Sequence, residues 1–224
     1  MIKNIIWDVD GVLANLNEAY FYFLKNHPKY KSLYADLTWE ELPVVLPIDE
    51  KYGALELKTH PAMGNELDHD FCHSPEFFTH RPLYDGAIEA LKRFHAKGLT
   101  QLTLSATFDV KAKRKLLNDL LSDVTDFLII ECVEHGALMH DTAKVDMLKI
   151  CFEKYHLKAD ETILVDDRIY NQYAAIEAGA HPVRFRPEFT TDLPDNLKWI
   201  EEVESYNQLE QLIDDVNAGR KTLR

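Results

Sequence analysis

The sequence predicts an α/β fold: a doubly wound, Rossmann-like parallel sheet with a small, mainly helical segment inserted after the first strand. Three observations carry this. From Pro82 onward, short apolar runs alternate with amphipathic stretches of about 10–15 residues, the rhythm of parallel strands joined by crossover helices. The N-terminal run IKNIIWDV (2–9) is apolar at almost every position, as expected of a strand buried on both faces. Between them, residues 16–80 break the rhythm. That stretch holds 11 of the 24 aromatic residues, five of the ten histidines and prolines at 28, 43, 47, 61 and 75, so it reads as short helices with no strand alternation.

Each element has its own signal. Gly11 permits a sharp turn after the first strand. In the insertion, NEAYFYFLKN (17–26) is one helix, TWEEL has the Thr38 to Glu41 spacing of a capping box, and Ser74-Pro75 is a cap followed by proline at the first helical position. DGAIEALKRFHAKG (85–98) is amphipathic, with Asp85 as cap, Ile88, Leu91 and Phe94 on one face and Gly98 as stop. LTQLTLS (99–105) is the second strand, DVKAKRKLLNDLL a helix and DFLIIECV (126–133) the third strand. AKVDMLKICFEKYH, TILVDD (162–167), YNQYAAIEAG and HPVRF then give helix, strand, helix and strand. SYNQLEQLIDDV is a last helix, followed by a frayed basic tail.

Composition bounds the function. The chain has 224 residues, 46% of them hydrophobic and 28% charged, enough for one large domain carrying an insertion. A formal charge of -13 argues against nucleic acid polymers or an anionic membrane as the main partner, while leaving a small anionic substrate open. No apolar run reaches the roughly 20 residues of a membrane span, and no signal peptide is evident. Cys72, Cys132 and Cys151 show no metal-ligand spacing and are expected as reduced thiols of a cytoplasmic protein. No G-x-G-x-x-G follows a strand, which leaves a dinucleotide enzyme without support.

In such a sheet, ligands bind beyond the carboxyl ends of the strands. Strand one ends in Asp8-Val9-Asp10-Gly11, strand two in Ser105 and the 162–167 strand in Asp166-Asp167, while Lys144 opens the preceding helix. Like charges two residues apart at the end of a buried strand need a positive counterpart. Four carboxylates of this kind suit Mg²⁺, which takes hard oxygen ligands and shares its shell with phosphate oxygens. A hydroxyl and an ammonium nearby suit the remaining oxygens of a phosphoryl group.

DVDGV after an apolar strand, a strand ending in Ser, a lysine about twenty residues before an apolar strand ending in DD, and AAIEAGAHPVRF afterwards together resemble the haloacid dehalogenase superfamily. The likeness covers residues 1–15 and 81–205. It implies a catalytic core of 1–15 and 81–224 and a helical cap of 16–80 that selects the substrate. It further implies that Asp8 is the nucleophile, taking the phosphoryl group as an aspartyl-phosphate. Asp10 would be general acid and then base, its backbone carbonyl joining the metal shell. Ser105 would bind phosphate, Lys144 would bridge Asp8 and phosphate, and Asp166 and Asp167 would hold Mg²⁺. The acid at Asp10 separates phosphoryl-transfer members from dehalogenases, whose halide needs no proton. SPEFFTHRPLYDGAIEALKRF is loosely similar to the deoxyribonucleotidase-like branch. The expected protein is a Mg²⁺-dependent phosphatase acting on a small phosphorylated metabolite, a nucleotide or sugar phosphate. The alternatives are a phosphomutase, or a non-catalytic protein that binds a phosphorylated ligand.

Several residues have plainer readings. Ser105, like Thr107 or Asp109, serves equally as a helix cap, and Lys149 rivals Lys144. Asn171 stands where many relatives carry a further acid. His60, His69, His73 and His80 are read as solvated or packed side chains, with only His69 and His73 at helical i, i+4 spacing. Arg81 and Arg168 lie near the crevice by sequence, where they could touch substrate, with surface arginine as the default reading. KAKRK (111–115) is read as a solvated helix face, and the cap aromatics as subdomain packing in preference to base stacking.

Overall fold

The run of Asn4, Ile5, Ile6 and Trp7 forms β1 (Asn4–Trp7), every residue buried. Its neighbours are β4 (Thr100–Thr107) and β6 (Thr162–Asp166), both parallel, with Trp7 level with Thr103 on one side and Val165 on the other. Adding β5 (Leu128–Glu134), β7 (His181–Phe185) and β8 (Glu201–Val203) completes a six-stranded parallel sheet in the order β5-β4-β1-β6-β7-β8. The chain starts at the centre, winds outward to β5 and then returns past β1 to build the other half. The winding therefore reverses between β1 and β6, where open α/β sheets bind ligands. The computed structural model describes residues 1–42, 48–49, 54–55, 64–107, 109–134, 143–186 and 192–224.

Helices cover both faces. Ile5 and Trp7 point into a core shared with α4 (Ala87–Ala96), α5 (Val110–Leu120) and α8 (Tyr206–Asn217), contributed by Leu91, Phe94, Leu117, Leu209 and Ile213. Ile6, between them in the strand, points the other way into a core with Leu148 of α6 (Ala143–Lys154) and Ala175 of α7 (Ile169–Ala178). Buried polar groups are paired across the first core. The Trp7 indole donates to Gln101, whose amide donates to the Leu91 carbonyl, and the Tyr206 hydroxyl donates to the Val12 carbonyl at 2.6 Å.

Between β1 and α4 lies the inserted cap. It contains α1 (Leu16–Asn26), capped by Asn15, then α2 (Gly64–Cys72) and α3 (Pro75–Thr79), capped by Ser74 with proline at its start. At Thr38, half of the capping box forms, the Glu41 carboxylate accepting from the Thr38 N–H at 3.0 Å. The cap has its own core of Tyr20, Phe23, Tyr30, Phe71 and Phe77, so these aromatics serve packing. Its two ends run side by side, the Asn15 N–H donating to Pro82 O and the Tyr84 N–H to Leu13 O.

Five local expectations change. The insertion also carries a two-stranded antiparallel ribbon, β2 (Ile48–Asp49) and β3 (Ala54–Leu55). Asp85 is not the cap of α4; Gly86 occupies that position in a left-handed conformation, with no side-chain cap. β4 runs two residues past Ser105. β8 is a sixth strand that its sequence, EEV, does not announce. The tail is packed, Leu223 entering the core beneath the sheet and the Arg224 carbonyl contacting His181 Nδ1 at 3.1 Å. Among the described residues no helix is long and apolar enough to cross a membrane, and Cys72, Cys132 and Cys151 are free thiols.

Candidate active site

The site forms where β1 and β6 end. Asp8 follows the last residue of β1, its N–H bonded to Val165 O as if the ladder continued, and the turn Val9–Ala14 folds back on itself through Leu13 and Ala14 N–H bonds to Val9 O. Asp166 closes β6 and Asp167 begins the turn into α7. One carboxylate oxygen from each of Asp8, Asp166 and Asp167 lies within 4.8 Å of the others. Three acids that close could hold a divalent cation, and hard oxygen donors are the ligands such ions take.

Each acid is anchored. Asp166, fully buried, accepts at Oδ1 from the Arg168 N–H at 2.9 Å and from the Asn171 side chain at 3.0 Å, while Gln172 donates to its backbone carbonyl. Asn171 therefore orients an acid of the cluster by donating a hydrogen bond. The Asp167 carbonyl accepts from buried Arg184, and its carboxylate lies 3.4 Å from Arg168. Gly11 has φ +87°, and a Cβ there would stand 2.4 Å from the Asp167 carboxylate. Glycine is required at that turn both for its backbone conformation and for the close approach of the acid.

Lys144, on the first turn of α6, reaches the cluster. Its ammonium is 2.9 Å from Asp8 Oδ1 and also bonds Asp166. Burial alone would lower its pKa, but the two carboxylates reverse that and raise it. Asp8 responds the other way. Burial, with Asp166 and Asp10 nearby, lifts its pKa to about 7 in spite of Lys144. Three acids against Lys144 and, at Asp167, Arg168 leave the centre short of one positive charge.

Asp10 points elsewhere. Its two oxygens accept from Lys113 at 2.9 and 2.7 Å, and Oδ1 lies 3.3 Å from Arg81. Burial would raise its pKa, yet the charges of Arg81 and Lys113 hold it below the ordinary carboxylate value. The carboxylate is thus apart from the three-acid cluster. Ser105 is buried on β4, two residues beyond the one level with Trp7, and pairs in register with Cys132 of β5.

Three charged residues correct the surface reading. Lys113, the middle of KAKRK, is completely buried, and so is the Arg81 side chain; Arg168 is 8% exposed. The signal for Lys113 was its place in the apolar stripe of α5, three residues after Val110 and four before Leu117. Tyr170 is a further residue near the centre, its pKa raised to about 12 chiefly by burial. His69 and His73 stack on each other on the exposed side of α2, and His60 lies outside the described residues.

A parallel sheet whose winding reverses at a carboxylate cluster, with a lysine across it and a helical cap inserted after the first strand, defines an α/β enzyme with an acidic centre. The chain belongs to the haloacid dehalogenase-like hydrolases, whose family model matches residues 2–179. Solved structures share the fold at low identity. A predicted phosphatase from Clostridium acetobutylicum is 18% identical with a TM-score of 0.63, covering 96% of this chain and 100% of its own. A family hydrolase from Deinococcus radiodurans R1, solved with bound phosphate and sodium, is 11% identical with a TM-score of 0.60 and 96% coverage of both chains. One from Ehrlichia chaffeensis is 16% identical with a TM-score of 0.60, covering 96% of this chain and 98% of its own. No curated protein matches the sequence.

Proposed function

We propose that this hydrolase is a Mg²⁺-dependent phosphatase of small phosphorylated metabolites, acting from a core of 1–15 and 81–224 under a cap of 16–80. The observation that carries the reading is the pairing of two acids in different company, Asp8 in the metal-type cluster with Lys144 and Asp10 apart from it on the same turn. Asp8, Asp166 and Asp167 would hold the magnesium with the Asp10 backbone carbonyl, and the charge deficit at Lys144 supports a dication there. When bound, that ion neutralises phosphoryl charge.

The chain's own groups supply the rest. An Asp8 oxygen attacks phosphorus in line, the bond to the ester oxygen breaks, and that oxygen takes its proton from Asp10. Asp10 must first be protonated from solvent, because Arg81 and Lys113 hold it as the carboxylate in the free protein. The product is an aspartyl-phosphate and the free alcohol. Asp10 then takes a proton from water, whose oxygen attacks phosphorus and releases phosphate and Asp8. Lys144 holds the Asp8 carboxylate and meets phosphoryl oxygens, and Ser105 donates to another. The phosphate bound in the Deinococcus relative supports a phosphoryl ligand in this fold.

Phosphate release from a panel of nucleotide and sugar phosphates, with Mg²⁺, with chelator and with Asp8→Asn, tests the reading. Release that needs magnesium and vanishes in Asp8→Asn is expected. A folded protein that releases no phosphate from any ester refutes it.

A further inference from the structure

The Asp10 side of the centre holds more positive charge than Asp10 requires. Lys113 alone satisfies both carboxylate oxygens, at 2.9 and 2.7 Å. Arg81 adds a second cation at 3.3 Å, outside hydrogen-bond geometry, and its side chain is wholly buried. Among the described residues, Nε and both terminal nitrogens of Arg81 are without a hydrogen-bond partner. A guanidinium carries five N–H donors in a planar fork, and burying them unmet is costly. The Phe77 ring lies 4.2 Å from the guanidinium carbon and 5.3 Å from the Lys113 ammonium. An aromatic face offsets part of a cation's charge but leaves the in-plane donors open.

The placement says which part of a ligand would meet them. Phosphoryl chemistry belongs to Asp8, Lys144, Asp166 and Asp167, and Asp10 is the group that meets the ester oxygen. Arg81 and Lys113 both contact Asp10, so in the phosphatase reading they stand next to the group that meets the departing portion of the substrate. Phe77 belongs to the cap and Lys113 to the core, which puts both cations at the seam between them.

We propose that Arg81 and Lys113 form an anion site on the leaving-group side, taking a second oxyanion carried by the phosphomonoester itself. A carboxylate fits best, since it matches the guanidinium fork with two parallel bonds. The inference rests on the phosphatase reading and narrows it to esters of acidic alcohols.

Paired substrates test it: 2-phosphoglycolate against ethyl phosphate for a carboxylate, and ethylene glycol bisphosphate against ethyl phosphate for a second phosphate. Charge-assisted bonds of this kind correspond to about tenfold to a hundredfold in kcat/KM. The wild-type ratio should favour at least one acidic ester by that factor, collapse in Arg81→Gln and survive in part in Arg81→Lys. Reading the ratio within one variant cancels any loss that both esters share. No wild-type preference, or a ratio untouched by Arg81→Gln, overturns the site. Binding of phosphonoacetate and methylphosphonate, measured by calorimetry with Mg²⁺, separates this claim from the phosphatase reading. Tighter phosphonoacetate binding that Arg81→Gln removes upholds the site even where no ester is hydrolysed, and equal binding in wild type overturns it.

Discussion

Replacing Gly11 with alanine tests the packing of the centre without altering a charge. The new Cβ would sit 2.4 Å from Asp167 Oδ2 and 2.6 Å from its Cγ, on a backbone with φ +87°. A left-handed conformation costs a non-glycine residue about 1–2 kcal/mol, and an overpacked buried contact costs about 1–3 kcal/mol more. Gly98→Ala provides the comparison, since Gly98 has φ +80° and nothing within 4 Å of its Cβ position. Both variants share the backbone strain; only Gly11→Ala carries the clash.

In a chain of this length, 1 kcal/mol moves Tm by roughly 2–4 °C. Gly11→Ala should therefore melt roughly 2–12 °C below Gly98→Ala. If Asp167 yields instead of the backbone, the stability gap narrows and Mg²⁺ affinity drops, since the displaced carboxylate belongs to the cluster. Calorimetric melting and a magnesium titration read the two outcomes. Equal Tm values together with unchanged Mg²⁺ affinity would refute the close-approach argument.

Other perturbations probe the charges. Lys113→Met leaves Asp10 with one cation outside hydrogen-bond geometry; removing one partner of a buried pair costs about 3–5 kcal/mol, toward the low end here because Asp10 is 18% exposed at the side chain. Adding Asp10→Asn should recover part of that loss, and strict additivity in the double-mutant cycle would count against direct coupling. Asn171→Ala removes the 3.0 Å bond to Asp166; an outer-shell loss of this kind predicts about tenfold weaker Mg²⁺ binding, and an unchanged titration would exclude an orienting role. Asp8 titrates near 7 when folded against an ordinary 3.8. The native state then holds the extra proton between those values, so metal-free stability is greater below pH 4 from this group and declines as pH rises from about 4 to 7. Asp8→Asn should flatten that decline in melts across the range, and Mg²⁺ should suppress it; a wild-type profile identical to the variant's would contradict the assignment.

The balance of charge explains why two aspartates separated by one valine differ so much. Asp8 meets one lysine and other acids, and its proton affinity rises; Asp10 meets two cations, and its affinity falls. These are the charges of the metal-free centre: a dication at the cluster would lower Asp8 toward an ionised carboxylate, and Asp10 would need its two cations drawn away before it could carry a proton. The cap contributes through Phe77 and the adjoining Arg81, which ties its aromatic core to the Asp10 side of the centre.

Periodicity and strand-end chemistry were readable from residues alone. Apolar runs and capped helices depend on neighbours close in sequence, so β1, β4 to β7, the Ser74 cap and the Gly98 and Gly179 helix stops all stand where the pattern puts them, within a residue or two. Acids at the ends of β1 and β6, with Lys144 between them in sequence, also defined the centre, because parallel pairing brings those strand ends together. What tertiary structure alone decided involves partners far apart in the chain. β8 is a strand because β7 offers it an edge, and the tail packs because the sheet leaves room for Leu223. Lys113 lies in a run that looks solvated, yet it is buried because Asp10, 103 residues away, supplies its counter-charge. Local sequence carries no record of such a pairing, since burying a charge is set by what the fold brings opposite it.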